Sequence, residues 1–142
     1  MSRELIYAIQ DDGDVLWRRH NTNSGDVECP NTVASGWIYK QVFSGADGVI
    51  YAVRDDGHLV WRRYDGRWDG TSAWTGPRTV GVGWDFPHVF SGTDDLIYTV
   101  RSDGELLRYH HDGHGDGTFA WSGPNPVGDS WGFSQMFSGG AV

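Results

Sequence analysis

The sequence predicts an all-β fold: a β-propeller of four-stranded blades, with three blades in the chain of 142 residues. Three observations carry that expectation. One unit occurs three times at nearly even spacing, and each unit breaks into short β-branched or aromatic runs separated by glycine turns. No stretch shows helical apolar spacing with caps, so almost no helix is expected.

The repeat is explicit. The string "ASGWIYKQVFSG" begins at Ala34, "GVGWDFPHVFSG" at Gly81 and "GDSWGFSQMFSG" at Gly128. Trp37, Trp84 and Trp131 stand 47 apart, as do Phe43, Phe90 and Phe137, and Pro30, Pro77 and Pro124. A second string runs "LIYAIQDDGDVLW" from Leu5, "VIYAVRDDGHLVW" from Val49 and "LIYTVRSDGELLR" from Leu96. Here the first interval, Ile6 to Ile50, is 44 and the second, Ile50 to Ile97, is 47, because the first copy is three residues shorter around "HNTNSGDV". The units span about 1–45, 46–92 and 93–142 and fill the chain as one domain, with no linker or tail.

Within a unit the strands follow in order. An aromatic strand such as "PHVFS" comes first, and a β-branched strand such as "VIYAVR" second. Asp56-Gly57 reads as a two-residue hairpin turn, and "LVWRRY" is the third strand. The glycine-rich loop "DGRWDGTS" leads to a fourth strand around Ala73 to Val80, where Pro77 marks an edge or bulge. Such a small sheet is apolar on both faces and must stack between neighbours, which is the propeller arrangement.

Three blades do not close a ring, since propellers use about 4–8. An open stack bares a face of roughly 300 Å² at each end. Joining two such faces buries about 600 Å², on the order of 10 kcal/mol per junction before the costs of association. The expected solution is a head-to-tail homodimer with six blades and two identical junctions. The chain starts on a second strand, "ELIYAIQ", and finishes on a first strand, "FSQMFS", so that strand is expected to complete the first blade of the partner.

Composition bounds the function. With 11 basic residues against 19 acidic, and Lys40 the only lysine, the chain is a poor match for nucleic acid or an anionic membrane. No run of about 18 apolar residues exists, so no membrane insertion is expected. No signal peptide is recognised at the start, so the expected protein is soluble, either cytoplasmic or released by a non-classical route. Cys29 is the single cysteine, which rules out an intramolecular disulfide and reads as a small tolerated side chain.

The strings "GVGWDFPHVFSG", "VIYAVRDDG" and "DGTFAWSGP", together with the period, resemble the tachylectin-2-like β-propeller lectins across all three repeats. The resemblance implies a propeller whose blades bind N-acetylated sugars of the N-acetylglucosamine or N-acetylgalactosamine type, one site per repeat. The count departs from the namesake fold, which has five blades in one chain.

A pyranose is held by hydrogen bonds to its hydroxyl and amide groups and by stacking of its apolar face on an aromatic ring, for which tryptophan is suited. The candidate sugar-binding residues are Trp37, Trp84 and Trp131 in the Gly-Trp segments, and Trp74 and Trp121 in the fourth strands. Gly36 and Gly83 let backbone amides approach a ligand, and Ser130 takes their place in the third copy. Asp69 and Asp116 are candidate acceptors for sugar hydroxyls. Each has a structural alternative: the tryptophans as wedges between blades, the aspartates as turn residues before glycine. The first copy has Val27 in place of the fourth-strand tryptophan, so its site is expected to be weaker or differently shaped. Trp17 and Trp61, mid-strand, are expected in the core, and Trp68 is either a lid or an exposed contact.

Other chemistry is weakly signalled. His110, His111 and His114 cluster in sequence, but adjacent strand residues face opposite ways, so no metal site is expected. Asp11 to Asp14, "DDGD", is too short for a calcium loop and reads as a hairpin turn. No nucleophile-elbow or Ser-His-Asp pattern appears, and no cofactor is implied. The expected function is a non-enzymatic, multivalent lectin; the alternative is a protein-interaction or structural propeller whose aromatics serve only packing.

Overall fold

The computed structural model describes residues 3–21, 24, 31–66 and 70–139. All regular structure among them is β: eleven strands in three antiparallel sheets, and no helix. The chain divides into two compact units, residues 1–38 with 64–75, and residues 39–63 with 76–142.

The first unit holds a three-stranded sheet of β1 (Arg3–Ile9), β2 (Val15–Asn21) and β3 (Asn31–Ala34) in that order. Tyr7 lies opposite Trp17 in the β1–β2 register. Val15, Trp17, Val33 and Trp37 are buried. Tyr64 and Trp74 join this unit, with Trp74 4.6 Å from Tyr64 and 5.2 Å from Trp37, ring centre to ring centre.

The second unit is built on two four-stranded sheets. One orders β4 (Gln41–Ser44), β5 (Val49–Val53), β6 (Leu59–Tyr64) and β7 (Trp74–Gly81). The other orders β8 (His88–Ser91), β9 (Leu96–Val100), β10 (Leu106–His111) and β11 (Trp121–Gly128). Every residue of β5 is buried, as expected of a sheet covered on both faces. The core gathers Val49, Tyr51, Val53, Leu59, Trp61, Val80, Trp84, Val89 and Ile97. Trp61 is thus a core residue, as its mid-strand position predicts. β7, which carries Pro77, is an edge strand of its sheet, as expected, and β10 and β11 slip register twice.

Two expectations are corrected. The Asp-Gly hairpins are not two-residue turns. That turn needs positive φ at both central residues, but only the glycines have it: Gly13, Gly57 and Gly104 at φ 90°, 84° and 87°. Gly57 N–H donates to the Arg54 carbonyl and Arg54 N–H to the His58 carbonyl, giving a wider turn closed by a glycine bulge. Each preceding aspartate explains the choice. Asp12, Asp56 and Asp103 accept from the amide two residues on, at 3.0, 3.1 and 3.0 Å, which holds them in an ordinary turn conformation.

The second correction concerns the terminal strand: the first sheet has three strands, as a chain starting on a second strand should, and the other two have four. Gln41–Ser44 pairs with β5 and His88–Ser91 with β9, but the matching residues 135–138 form no strand, and Phe137 is 85% exposed. A first strand is ordered by the ladder it joins, and among the described residues 135–138 join no ladder.

Repeat-equivalent positions also differ in burial. Val33 and Val80 are buried, whereas Val127 is 52% exposed. Ile50 and Ile97 are buried, whereas Ile6 is 48% exposed. One apolar face of the third repeat and one of the first are therefore open to solvent.

Candidate functional site

The Gly-Trp segments are latched to the hairpins of their own sheets. The backbone N–H of Trp37, Trp84 and Trp131 donates to the carbonyl of Gly13, Gly57 and Gly104, at 3.0, 2.8 and 2.9 Å. Just before each tryptophan the chain passes through positive φ: 75° at Gly36, 70° at Gly83 and 61° at Ser130. Nothing lies within 4 Å of where a Cβ on Gly36 or Gly83 would stand, so these glycines expose backbone rather than admit a packed neighbour.

The tryptophans come together in pairs. Trp37 meets Trp74 at 5.2 Å, and Trp84 meets Trp121 at 5.1 Å. Trp84 also packs on Tyr109 at 4.7 Å and Phe86 at 5.7 Å. Trp37 and Trp84 are buried, and their rings serve packing. Trp74 and Trp121 are half-buried and donate their indole N–H to the Val33 and Val80 carbonyls, at 2.8 and 2.6 Å. Trp131 is 39% exposed, with Phe133 against its edge at 5.9 Å.

The loop between β10 and β11 carries the polar half of the candidate set. The Asp116 carboxylate accepts from the Thr118 hydroxyl at 2.9 Å and the Thr118 amide at 3.2 Å, and these bonds hold its carboxyl below the usual carboxylate range. Gly117, at φ 74°, lies flat on Trp61, where an added Cβ would come within 2.5 Å of the ring. Trp61 donates its indole N–H to the His114 carbonyl at 2.9 Å. Arg63 donates to the Gly115 carbonyl at 3.2 Å and Arg78 to the Asp116 carbonyl, with the Arg78 guanidinium 5.5 Å from the Trp61 ring centre. In the first unit Gly70 lies against Trp17, where an added Cβ would meet the ring at 2.9 Å. Asp69, Trp68 and Cys29 lie outside the described residues.

The profile of the Tachylectin family matches residues 2–141. The chain belongs to the Tachylectin family. It is a family of lectins, so membership carries a lectin-like, carbohydrate-binding role. A search of curated proteins finds no match.

Within this Tachylectin family member the histidines of the third repeat anchor the loop. His111 is buried and His110 exposed, as adjacent strand positions require. The Tyr51 hydroxyl lies 2.7 Å from His111 Nδ1, and His111 Nε2 lies 2.9 Å from the Thr118 carbonyl. A carbonyl only accepts, so Nε2 carries the proton and Nδ1 accepts from Tyr51. Burial pushes the His111 imidazole below its ordinary range and the Tyr51 hydroxyl above its own. His114 Nε2 faces the Ala46 carbonyl at 2.8 Å, and its Nδ1 faces Asp95 at 2.8 Å. Among the described residues no group of three His, Cys, Asp or Glu side chains is arranged to hold a metal, and no helix is long and apolar enough to cross a membrane.

Sequence reasoning missed Arg63, Arg78 and His114 as the loop's anchors. The tripled pattern drew attention to shared residues, whereas His114 has no histidine counterpart in the other copies. The usable signal was the run of glycines around it, which lets backbone carbonyls face side-chain donors.

Proposed function

We propose that this Tachylectin family member is a non-enzymatic lectin for glycans bearing N-acetylhexosamine, bound at shallow sites repeated along the chain. The observation that carries the reading is the family match over residues 2–141. In this reading Asp116 and its counterpart Asp69 accept from sugar hydroxyls, and backbone at Gly36, Gly83 and Ser130 contributes polar contacts. The half-buried Trp74 and Trp121 and the exposed Trp131 offer aromatic surface, while Trp37 and Trp84 act behind them as packing partners. An anchored loop supports recognition, because little conformational entropy is then lost on binding.

The same reading takes the molecule as half of a propeller ring. The residues exposed on the first and third repeats, Ile6, Val127 and Trp131, have buried counterparts in the other repeats. In this reading the surface that covers them is another copy of the repeat. Two chains head to tail supply it twice, with residues 135–138 of each pairing on the open edge of the other's β1. Linked weak sites raise apparent affinity on a glycan-coated surface by about 10²–10⁴.

A glycan array tests the reading. Retention on glycans ending in N-acetylglucosamine or N-acetylgalactosamine, and not on matched sugars lacking the acetamido group, is the expected outcome. Uniform absence of binding would favour a protein-interaction propeller, the reading suited to the burial of Trp37 and Trp84.

A further inference from the structure

Lys40 is the only lysine in the chain. It stands on the rim of an open cleft of about 410 Å³ lined by Lys40, Gln41, Asp85, Phe86, Pro87 and Ser102. The Lys40 ammonium pairs with the Asp85 carboxylate, and the two side chains are 40% and 67% exposed. The walls are fixed. Lys40 N–H donates to the Val53 carbonyl at 2.9 Å. Gln41 Nε2 donates to the Phe86 carbonyl and Gln41 Oε1 accepts from Val89 N–H, each at 3.1 Å, tying the two segments together. Phe86 is set edge-on to Trp84 at 89°.

The charge pattern selects the ligand. An anion is attracted by Lys40 and opposed by Asp85, and a cation meets the reverse. A hydroxyl both donates and accepts, so two adjacent hydroxyls satisfy both groups: one oxygen accepts from the ammonium, and the other O–H donates to the carboxylate. An exposed ion pair is weak and readily exchanged for such contacts. Ser102 adds a further hydroxyl, and Phe86 with Pro87 gives an apolar wall for the face of a ring. We propose that this cleft is a second saccharide site, one per chain, binding the vicinal diol of a neutral pyranose. It stands apart from the repeated sites because its pair is not repeated. Pro87 and Ser134 occupy the positions equivalent to Lys40, and Ile38 and Gly132 those equivalent to Asp85.

The single lysine makes the site directly observable. Protein labelled with ¹³C-lysine gives one ε-methylene resonance, to be followed during titration with methyl mannoside, methyl galactoside, methyl fucoside and methyl glucuronide. Saturable movement of that resonance by a neutral pyranoside below about 50 mM is expected. In Asp85→Asn, whose exposed position leaves the fold intact, the same titration weakens by about tenfold. No movement with any neutral sugar, an unchanged titration in Asp85→Asn, or preference for the glucuronide would each overturn the proposal. The readout is separate from the repeated sites: loss of N-acetylhexosamine binding leaves the Lys40 response in place, and the reverse also holds.

Discussion

The indole N–H of Trp61 and the carbonyl of His114 meet at 2.9 Å, although 53 positions separate the two residues. The bond joins the core of one four-stranded sheet to the loop of the next, and Gly117 of the same loop lies against the Trp61 ring. The glycine-rich loop is therefore ordered by the tryptophan beneath it.

Replacing that tryptophan separates packing from hydrogen bonding. Trp61→Ala should destabilise by about 3–5 kcal/mol. Trp61→Phe keeps most of the apolar contact but leaves the His114 carbonyl without its donor, for a loss of about 1–3 kcal/mol. Denaturant midpoints measure both, and equal losses would contradict the role given to the bond.

Gly117→Ala should also destabilise, by about 1–3 kcal/mol, since φ of 74° strains a Cβ and the ring stands in its way. Gly115→Ala, with nothing within 4 Å, should cost less. Thermal unfolding of the two variants side by side checks the order.

Stability should fall in mild acid through His111. Burial lowers its pKa in the folded protein, so below the ordinary value of about 6.5 the unfolded chain binds the extra proton more readily. The stabilisation is complete above that pH and is lost as pH falls through the folded value. His111→Gln should flatten the dependence of Tm on pH between about 7 and 5; an equally steep profile in the variant would place the effect elsewhere.

Light scattering should give an apparent mass near twice 15.8 kDa, and Val127→Asp should shift it toward the single-chain value by placing a charge on the open apolar face. A folded parent that stays monomeric at micromolar concentration would contradict the ring.

Much of this was legible in the residues. The spacing of Trp37, Trp84 and Trp131 predicted three equivalent sheets, and the mid-strand placement of Trp17 and Trp61 predicted their burial. The hairpins were misread because Asp-Gly admits two turns, and the choice rests on where the aspartate carboxylate finds an amide. The site was less legible still. A tryptophan in a Gly-Trp segment has the same sequence signature whether its ring faces ligand or lies under Trp121, as Trp84 does. Which carbonyl Arg63, Arg78 or His114 meets depends on a neighbouring repeat 38 or more residues away, and no local pattern records it.

The most direct test of the central claim is a titration with N-acetylglucosamine and N-acetylgalactosamine, read by tryptophan fluorescence in the parent chain, Asp116→Asn and Asp116→Ala. The account predicts a saturable change in the parent within the millimolar range, about 1–10 mM. Asp116→Asn, which keeps the turn to Thr118, should bind weakly, and Asp116→Ala, which loses both turn and acceptor, weaker still. A parent chain whose fluorescence stays unchanged by either sugar up to tens of millimolar would contradict it.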